Sequence, residues 1–485
     1  MLKPRQSFAN LKKPKLKNSD LTPTHSIVLR GFSWFDILYK LTVFIRYSPM
    51  LRTLFVDFNA YFASVEQQIN PALRGRPVGV VPVIAATSCC IAASYEAKAF
   101  GIKTGTSVAD AKKLCPEITL VAGRHEVYVD FHQRAVAAVE RIAPVRQVMS
   151  IDEMECELTG TWCGREKAVS IAERIKKELI NTVGVCMRSS IGIAPNTMLG
   201  KLASDMQKPN GLTVLEQADI PAKLLHLKPS AISGVGPRMV QRLERAKIIT
   251  MADLYAAPRD VLYTVWGGVG GTEMYDKLRG QWYDPRDVVT RSLGHSHVLP
   301  PELRNAEGAW NVLNRLTQKA AMRLRKQGFY ATGMSVFVKG RRIGDLKSGS
   351  QRDTTFCETQ DTAFFLHVLA KLWTKPAGQG LPTLQTQPMP LAVGLTFFGL
   401  VPAAQHTPTL FEAKFESILT PSPLSALASP PLTPLGDRSR LSAAVDKINR
   451  LYGKNALYFA SAHGALDNAP MRIAFTRIPD IETER

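Results

Sequence analysis

The sequence predicts an α+β protein built from several domains. The chain has 485 residues, enough for about three domains of roughly 150 residues each. Apolar strand-like runs and amphipathic helices alternate as β-α-β-β-α-β over residues 51–214, once an excursion at 61–123 is set aside. This is the element order of a split βαβ sheet. Short helices are predicted at 222–256, and strands and helices mix again over 290–400.

Each element of the first region has a local reason. Residues 51–58 form a short apolar run typical of a buried strand, and residues 63–67 favour a helix. A helix at 107–114 is stopped by Cys115-Pro116. The other predicted elements are a strand at 77–84, a helix at 127–142, a strand at 147–151, a helix at 168–180, a strand at 186–193 and a helix at 196–205.

The second half of the chain contains a hairpin pattern between helices, Ile232-Ser233-Gly234-Val235-Gly236-Pro237. Its two glycines let backbone amides approach a phosphate, whereas a plain Gly-rich turn is the alternative. Beyond it, helices are predicted at 309–326 and 362–373, and strands at 333–339 and 391–400. A Pro/Ser-rich stretch at 419–435 predicts a disordered linker, and 442–451 an amphipathic helix.

The composition points to a polyanionic partner. Lys and Arg number 61 against 41 Asp and Glu, a net charge of +20, which favours nucleic acid first and an anionic membrane second. A basic protein without a polyanionic partner is the plain alternative. No apolar run reaches the roughly 18 residues of a membrane span. The seven cysteines form no C-x-x-C pair and are expected to be buried thiols in a reducing compartment.

The first fifty residues differ from the rest. They hold nine Lys and Arg and two Asp and Glu, so +7 of the net charge lies there. A nucleic-acid-binding arm and a mitochondrial-type leader would both have this composition. Because Met50 directly precedes the first predicted strand, translation starting at Met50 is a third interpretation. Residues 1–50 are therefore predicted to be a basic extension that is disordered or not translated.

Three carboxylates are expected at neighbouring strand ends. Asp57 ends the first strand, and Asp152 and Glu153 end another. In a split βαβ sheet the first and third strands lie side by side, so the three side chains can converge. Such a cluster of anions needs cations, and Mg²⁺ suits hard oxygen ligands. Two Mg²⁺ ions would serve phosphoryl transfer, whereas a solvated turn is the alternative for an isolated Asp-Glu pair.

Two further pairs could bind a triphosphate. Tyr95 and Lys98 are three residues apart, as are Asp205 and Lys208, which places each pair on one helical face. Lysine and tyrosine can supply positive charge and hydrogen-bond donors to phosphate oxygens. Lysines on solvated helix surfaces are the alternative.

The chain resembles the Y-family translesion DNA polymerases, and among them the bacterial DinB/UmuC-type branch. The resemblance covers roughly residues 51–400. It rests on six segments in the family's order, namely 55–66 (FVDFNAYFASVE), 93–101 (ASYEAKAFG), 150–153 (SIDE), 200–211 (GKLASDMQKPNG), 291–294 (RSLG) and 359–362 (TQDT).

This resemblance implies a right-hand polymerase. The palm would be at 51–60 and 124–214, the fingers at 61–123, the helix-hairpin-helix thumb at 215–285, a linker at 286–291, the little finger at 292–400, and a C-terminal tail at 401–485. It further implies that Asp57, Asp152, Glu153 and the Phe58 carbonyl bind two Mg²⁺ ions. Phe62 would be the steric gate, an aromatic ring that leaves no room for a ribose 2′-hydroxyl. Nucleotide contacts would come from Phe62, Tyr95, Lys98, Asp205 and Lys208, and DNA contacts from Gly234, Gly236, Arg291 and Ser292.

The implied partners are primed DNA and deoxynucleoside triphosphates. The protein itself is implied to be a monomer that works at the nucleoid in the bacterial cytoplasm. Residues 407–411 (TPTLF) stand where relatives carry a sliding-clamp peptide, but Thr407 replaces the usual glutamine. Asn59 stands where many relatives have a second aspartate. Lys98 replaces a common arginine, which keeps the charge but loses the bidentate fork.

The predicted function is template-directed, low-fidelity DNA synthesis past damaged bases. A non-catalytic adaptor that recruits another polymerase is the alternative, and it would be expected to have lost its carboxylates. A nucleotide cyclase with a similar palm would leave the hairpin and the basic region at 290–353 without explanation.

Overall fold

The computed structural model describes residues 50–284, 290–340, 349–375, 383–385, 389–407, 438–453 and 456–466. The chain divides between Ser48 and Pro49 into two units, and every described residue belongs to the second. Residues 1–49 of the predicted extension, most of the 286–291 linker and the Pro/Ser-rich stretch at 419–435 lie outside the described residues. The predicted domain boundaries stay predictions.

The described strands are β1 (Thr53–Phe58), β2 (Val78–Val81), β3 (Ala92–Ala93), β4 (Thr119–Ala122), β5 (Val145–Ser150), β6 (Glu153–Glu157), β7 (Ser189–Ala194), β8 (Leu212–Val214), β9 (Ser292–Val298), β10 (Phe329–Gly340), β11 (Gly349–Thr359) and β12 (Pro390–Pro402). The described α-helices are α1 (Tyr61–Ile69), α2 (Tyr95–Ala99), α3 (Val108–Leu114), α4 (His125–Glu140), α5 (Arg165–Thr182), α6 (Thr197–Met206), α7 (Pro237–Arg245), α8 (Met251–Ala256), α9 (Arg259–Trp266), α10 (Val269–Leu278), α11 (Ala306–Lys326), α12 (Thr362–Thr374) and α13 (Ser439–Tyr452).

Five strands form the central sheet in the order β5-β6-β1-β7-β8. β1 lies in the middle and pairs antiparallel with β6 on one side and β7 on the other. All six residues of β1 are buried, which explains why its sequence is apolar without alternation. Strands β1, β5, β6 and β7 have the predicted split βαβ order, and β8 adds a parallel strand at the edge.

The hairpin between β5 and β6 differs from the prediction. The sequence places Asp152 and Glu153 at the end of one strand, but β5 ends at Ser150, Asp152 lies in the turn, and Glu153 begins β6. The turn contains no glycine or proline, so the usual turn signal is missing from the sequence. Because β6 is the neighbour of β1, Glu153 stands directly opposite Asp57 in the register.

Two smaller regions pack around this sheet. β3, β2 and β4 form a three-stranded sheet with α2 and α3 beside it, and the predicted strand at 77–84 already ends at Val81. Helices α7 to α10 share an apolar core with α6, to which Leu199 and Leu202 of α6 and Leu243 and Leu262 of the later helices contribute. The helical region is therefore anchored on α6.

A second, four-stranded sheet has the order β11-β10-β12-β9, with α11 and α12 packed on it through residues such as Leu316, Phe365 and Phe397. β9 and β11 were not predicted because their sequences, SLGHSHV and GSQRDTTFCET, contain no apolar run. β10 and β12 extend beyond the predicted bounds at both ends. α13, predicted as 442–451, begins at Ser439 and packs on α11.

Two further expectations can be compared with the structure. All seven cysteines are free, but only Cys90, Cys115 and Cys156 are buried, and Cys89 is exposed, so the prediction of buried thiols holds for three of them. In the part of the chain that the structure describes, every helix is too short or too polar to cross a membrane.

Candidate active site

The predicted carboxylates meet at one edge of the central sheet. Asp57, near the end of β1, is almost fully buried, and Glu153 lies opposite it on β6. Asp152 lies beside them because its carbonyl oxygen accepts a hydrogen bond from the Phe58 amide at 2.9 Å. The Ser150 hydroxyl donates to the Asp152 carboxylate at 2.6 Å.

Burial changes the electrostatics of this cluster, as the pKa of Asp152 shows. Burial raises the pKa of Asp152 to about 6, although the Ser150 hydroxyl lowers it; the charges of Glu153 and Asp57 raise it further. The charged form of Asp152 is thus less favourable than that of a solvent-exposed aspartate, and a nearby cation would stabilise it.

Two lysines already neutralise part of the cluster. The Lys208 ammonium lies 2.7 Å from Asp57 and 2.7 Å from Asp205. The Lys201 ammonium contacts Asp57 and lies 2.8 Å from Glu153. In the described residues, no group of three or more His, Cys, Asp or Glu side chains is arranged so that it could hold a metal ion.

Lys201 is a residue that sequence reasoning missed. It belongs to the segment GKLASDMQKPNG, but the sequence assigned it no role because only Lys208 and Asp205 matched expected contacts. Its position one turn before Asp205 on α6 was the available signal.

The predicted triphosphate-binding residues lie around the same carboxylates. α2 is a single short helix capped by the Ser94 side chain, and the Lys98 ammonium lies 4.3 Å from the centroid of the Tyr95 ring. Burial raises the pKa of the Tyr95 hydroxyl, and the charge of Lys208 opposes that shift. Burial lowers the pKa of Lys98, and the positive charge of Lys208 lowers it further. Because Lys208 affects both groups, α2 faces the loop after α6.

Asn59 has a structural role that explains its place in the motif. Its amide donates to the Ser190 hydroxyl at 2.9 Å, and its Oδ1 accepts from the Asn210 amide at 2.7 Å. Asn59 therefore ties β1 to β7 and to the loop that carries Lys208.

The predicted gate residue Phe62 stacks on Tyr128 of α4, with ring centroids 4.4 Å apart and an interplanar angle of 16°. The Tyr128 hydroxyl donates to Glu66 at 2.7 Å, and Arg124 pairs with the same carboxylate. Glu66 and Tyr128 are buried, and burial together with the bond to Glu66 raises the pKa of Tyr128. Sequence reasoning missed this network because Glu66 is 58 residues from Arg124 and 62 residues from Tyr128 in the chain.

The predicted DNA-contacting residues lie elsewhere on the molecule. Gly234 has a positive φ of 91°, and Gly236 precedes the first turn of α7, so the hairpin presents its backbone at a helix N-terminus. Arg291 and Ser292 are exposed at the start of β9, in a different sheet from the carboxylates.

Acidic side chains at the ends of adjacent antiparallel strands, with lysines and a tyrosine beside them, are the arrangement expected of a phosphoryl-transfer site. Comparison with known proteins then identifies the family. The impB/mucB/samB family matches residues 56–205, and the C-terminal domain of that family matches residues 290–410.

Curated relatives agree with this match. DNA polymerase IV of Moorella thermoacetica is 32% identical over 418 residues, which cover 84% of this chain and 95% of that protein. DNA polymerase IV of Streptococcus pneumoniae serotype 2 is 32% identical over 338 residues, which cover 66% of this chain and 91% of that protein. The chain therefore belongs to the impB/mucB/samB family, the DinB-type branch of the Y-family DNA polymerases.

A solved structure shows the same fold. A chimeric Y-family DNA polymerase matches with a TM-score of 0.59 at 22% identity, covering 72% of this chain and 99% of that chain. The predicted α+β multidomain polymerase fold is confirmed.

Proposed function

We propose that Asp57, Asp152 and Glu153 hold two divalent metal ions, in the simplest case Mg²⁺, and that this centre joins a deoxynucleotide to a primer 3′-hydroxyl. The chain is a DNA-directed DNA polymerase of the low-fidelity, translesion type. The observation that carries the proposal is the register that sets Glu153 opposite Asp57, with Asp152 in the adjoining turn.

The donor set fits such ions by its chemistry. Carboxylate and carbonyl oxygens are the ligands that Mg²⁺ prefers, and the Phe58 carbonyl would complete the set. The pKa of Asp152 is raised by burial first and then by the charges of Glu153 and Asp57, which supports the fit because a nearby cation would stabilise the charged form of this carboxyl. When bound, the metal ions lower the pKa of the primer hydroxyl and neutralise charge on the triphosphate.

The other side chains bind and select the nucleotide. Lys208, Lys98 and Tyr95 contact the triphosphate, and Lys98 does so as a point charge without the fork of an arginine. Asp205 holds Lys208 in place from one side. Phe62, packed on Tyr128, lies against the sugar and excludes a 2′-hydroxyl.

Primed DNA is the second substrate in this proposal. Gly234 and Gly236 offer backbone amides to a phosphate, and Arg291 and Ser292 contact the duplex from the second sheet. The proposal includes a monomeric enzyme at the nucleoid in the cytoplasm. It also includes a clamp-binding peptide at 407–411, of which only Thr407 lies within the described residues.

Primer extension with Mg²⁺ and four deoxynucleotides tests the proposal. Wild type is compared with the double variant Asp152→Ala, Glu153→Ala and with Glu157→Ala, a control that removes an acid from the same strand. Extension by wild type and the control but not by the double variant is expected. Extension by the double variant at the wild-type rate would refute the metal site, and DNA binding by a wild type that extends no primer would favour the adaptor.

A further inference from the structure

The ammonium of Lys201 contacts more than one of the proposed catalytic carboxylates. Its ammonium contacts Asp57 and lies 2.8 Å from Oε1 of Glu153. The Lys201 side chain is 18% exposed and that of Asp57 3%, so water screens these contacts weakly. The Lys201 ammonium thus lies between two of the three proposed metal ligands, Asp57 and Glu153.

Lys201 also has a second partner within reach. Asp205 lies one turn further along α6, and its Oδ2 is 3.3 Å from the same ammonium. The Lys201 side chain can therefore exchange the two catalytic carboxylates for Asp205 by rotation about its own bonds, without movement of the helix. Asp205 also pairs with Lys208, so this carboxylate would then bind both lysines.

We propose that Lys201 is the resident counter-ion of the catalytic carboxylates, and that a divalent ion displaces it toward Asp205 in order to bind. This inference rests on the proposed metal site. It deepens that function by naming the residue that sets metal affinity before the nucleotide arrives.

The displacement has a physical reason and a consequence. Buried carboxylates without a cation repel each other, so the ammonium stabilises the fold of the metal-free enzyme. A divalent ion must compete with that ammonium, which weakens its binding. A triphosphate offers the lysines new oxygen partners and so removes the competitor. Metal and nucleotide are therefore expected to strengthen each other's binding reciprocally.

Binding of Mn²⁺ to the full chain, without nucleotide or DNA, tests the proposal by calorimetry or by the paramagnetic signal of free Mn²⁺. Lys201→Met removes the charge at similar length and is expected to bind Mn²⁺ about tenfold more tightly or better than wild type. Lys201→Arg keeps a cation and is expected to stay within about threefold of wild type. Asp205→Asn removes the alternative partner and is expected to weaken binding.

Two comparisons separate this effect from others. Lys113→Met removes a lysine charge on α3, where the side chain is 80% exposed and lies 4.0 Å from Asp110, and is expected to leave Mn²⁺ affinity within about threefold of wild type. Lys201→Met is expected to melt below wild type in chelator and to gain more than wild type when Mn²⁺ is added, which also shows that it folds.

Different results would refute the counter-ion role of Lys201 and the proposed metal site. If Asp152→Ala, Glu153→Ala abolishes Mn²⁺ binding but Lys201→Met binds no more tightly than wild type, the counter-ion role is refuted and the metal site stands. If neither wild type nor Lys201→Met binds Mn²⁺, the metal site is refuted, and the counter-ion role falls with it.

Discussion

Phe62 is held in position by Tyr128, which is in turn held by Glu66. The substitution Glu66→Gln weakens this series of contacts at Glu66. Glu66 is 1% exposed and accepts hydrogen bonds from the Tyr128 hydroxyl at 2.7 Å and from Arg124. Tyr128 in turn stacks on Phe62. The placement of the ring that we propose as the steric gate thus depends on the buried Glu66 carboxylate, which reaches Phe62 through Tyr128.

The magnitude follows from the charge that Glu66→Gln removes. Hydrogen bonds to a charged group contribute about 1.5–3 kcal/mol, against about 0.5–1.5 kcal/mol between neutral groups. Arg124 is 46% exposed, so its share is reduced by solvent screening. We expect a loss of about 2 kcal/mol in the free energy of unfolding. A ring free to shift should lower the preference for deoxynucleotides over ribonucleotides about tenfold, which is about 1.4 kcal/mol.

Single-nucleotide insertion measures this preference as the ratio of kcat/KM for a deoxynucleotide and its matching ribonucleotide. Glu155→Gln is the matched control, since Glu155 on β6 is equally buried and accepts from the hydroxyls of Thr53 and Thr197. Both variants should lose stability in urea, but only Glu66→Gln should lose selectivity. Equal selectivity in the two variants would show that the Glu66 network is merely structural.

Three further predictions concern the framework. Gly192→Ala places a methyl group 2.0 Å from a backbone oxygen of α6, so unfolding should become about 3 kcal/mol easier, and an unchanged urea midpoint would contradict this. His297 has its pKa lowered to about 4 by burial first and then by Lys319. In the unfolded chain the imidazole binds a proton near pH 6.5, so the stability of the fold should fall as the pH is lowered from 6.5 to 4. His297→Gln should make the melting temperature depend less on pH in this range. The same pH dependence in wild type and variant would refute this. Asp446→Asn removes the charge from a pair with Arg325, whose side chain is 9% exposed and donates to Asp446 at 2.6 and 2.8 Å. The substitution should lower the free energy of unfolding in urea by about 3 kcal/mol. An unchanged free energy of unfolding would mean that α13 does not depend on this pair.

The carboxylate site was predictable because its information is local. An apolar run that ends at Asp57 marks a buried strand, and the element order then fixes which strands are neighbours. The contact between Lys201 and Asp57 was not predictable, because it depends on how closely α6 approaches β1. Strands β9 and β11 were missed for a related reason, since their residues alternate between a covered and an open face without an apolar run.

Helix α6 links the carboxylates to the helices that follow. Gly192 on β7 and Gly200 on α6 lack side chains where the two backbones meet, which brings Lys201 to Asp57. At the other end, Asn196 caps α6 and also donates hydrogen bonds to the backbone oxygens of Lys277 and Gln281, at 2.9 and 3.0 Å. These hydrogen bonds join α10 and the segment after it to the first turn of α6, one turn before Lys201. The helical region that carries the Gly234 hairpin is thus attached to the same helix that carries Lys201.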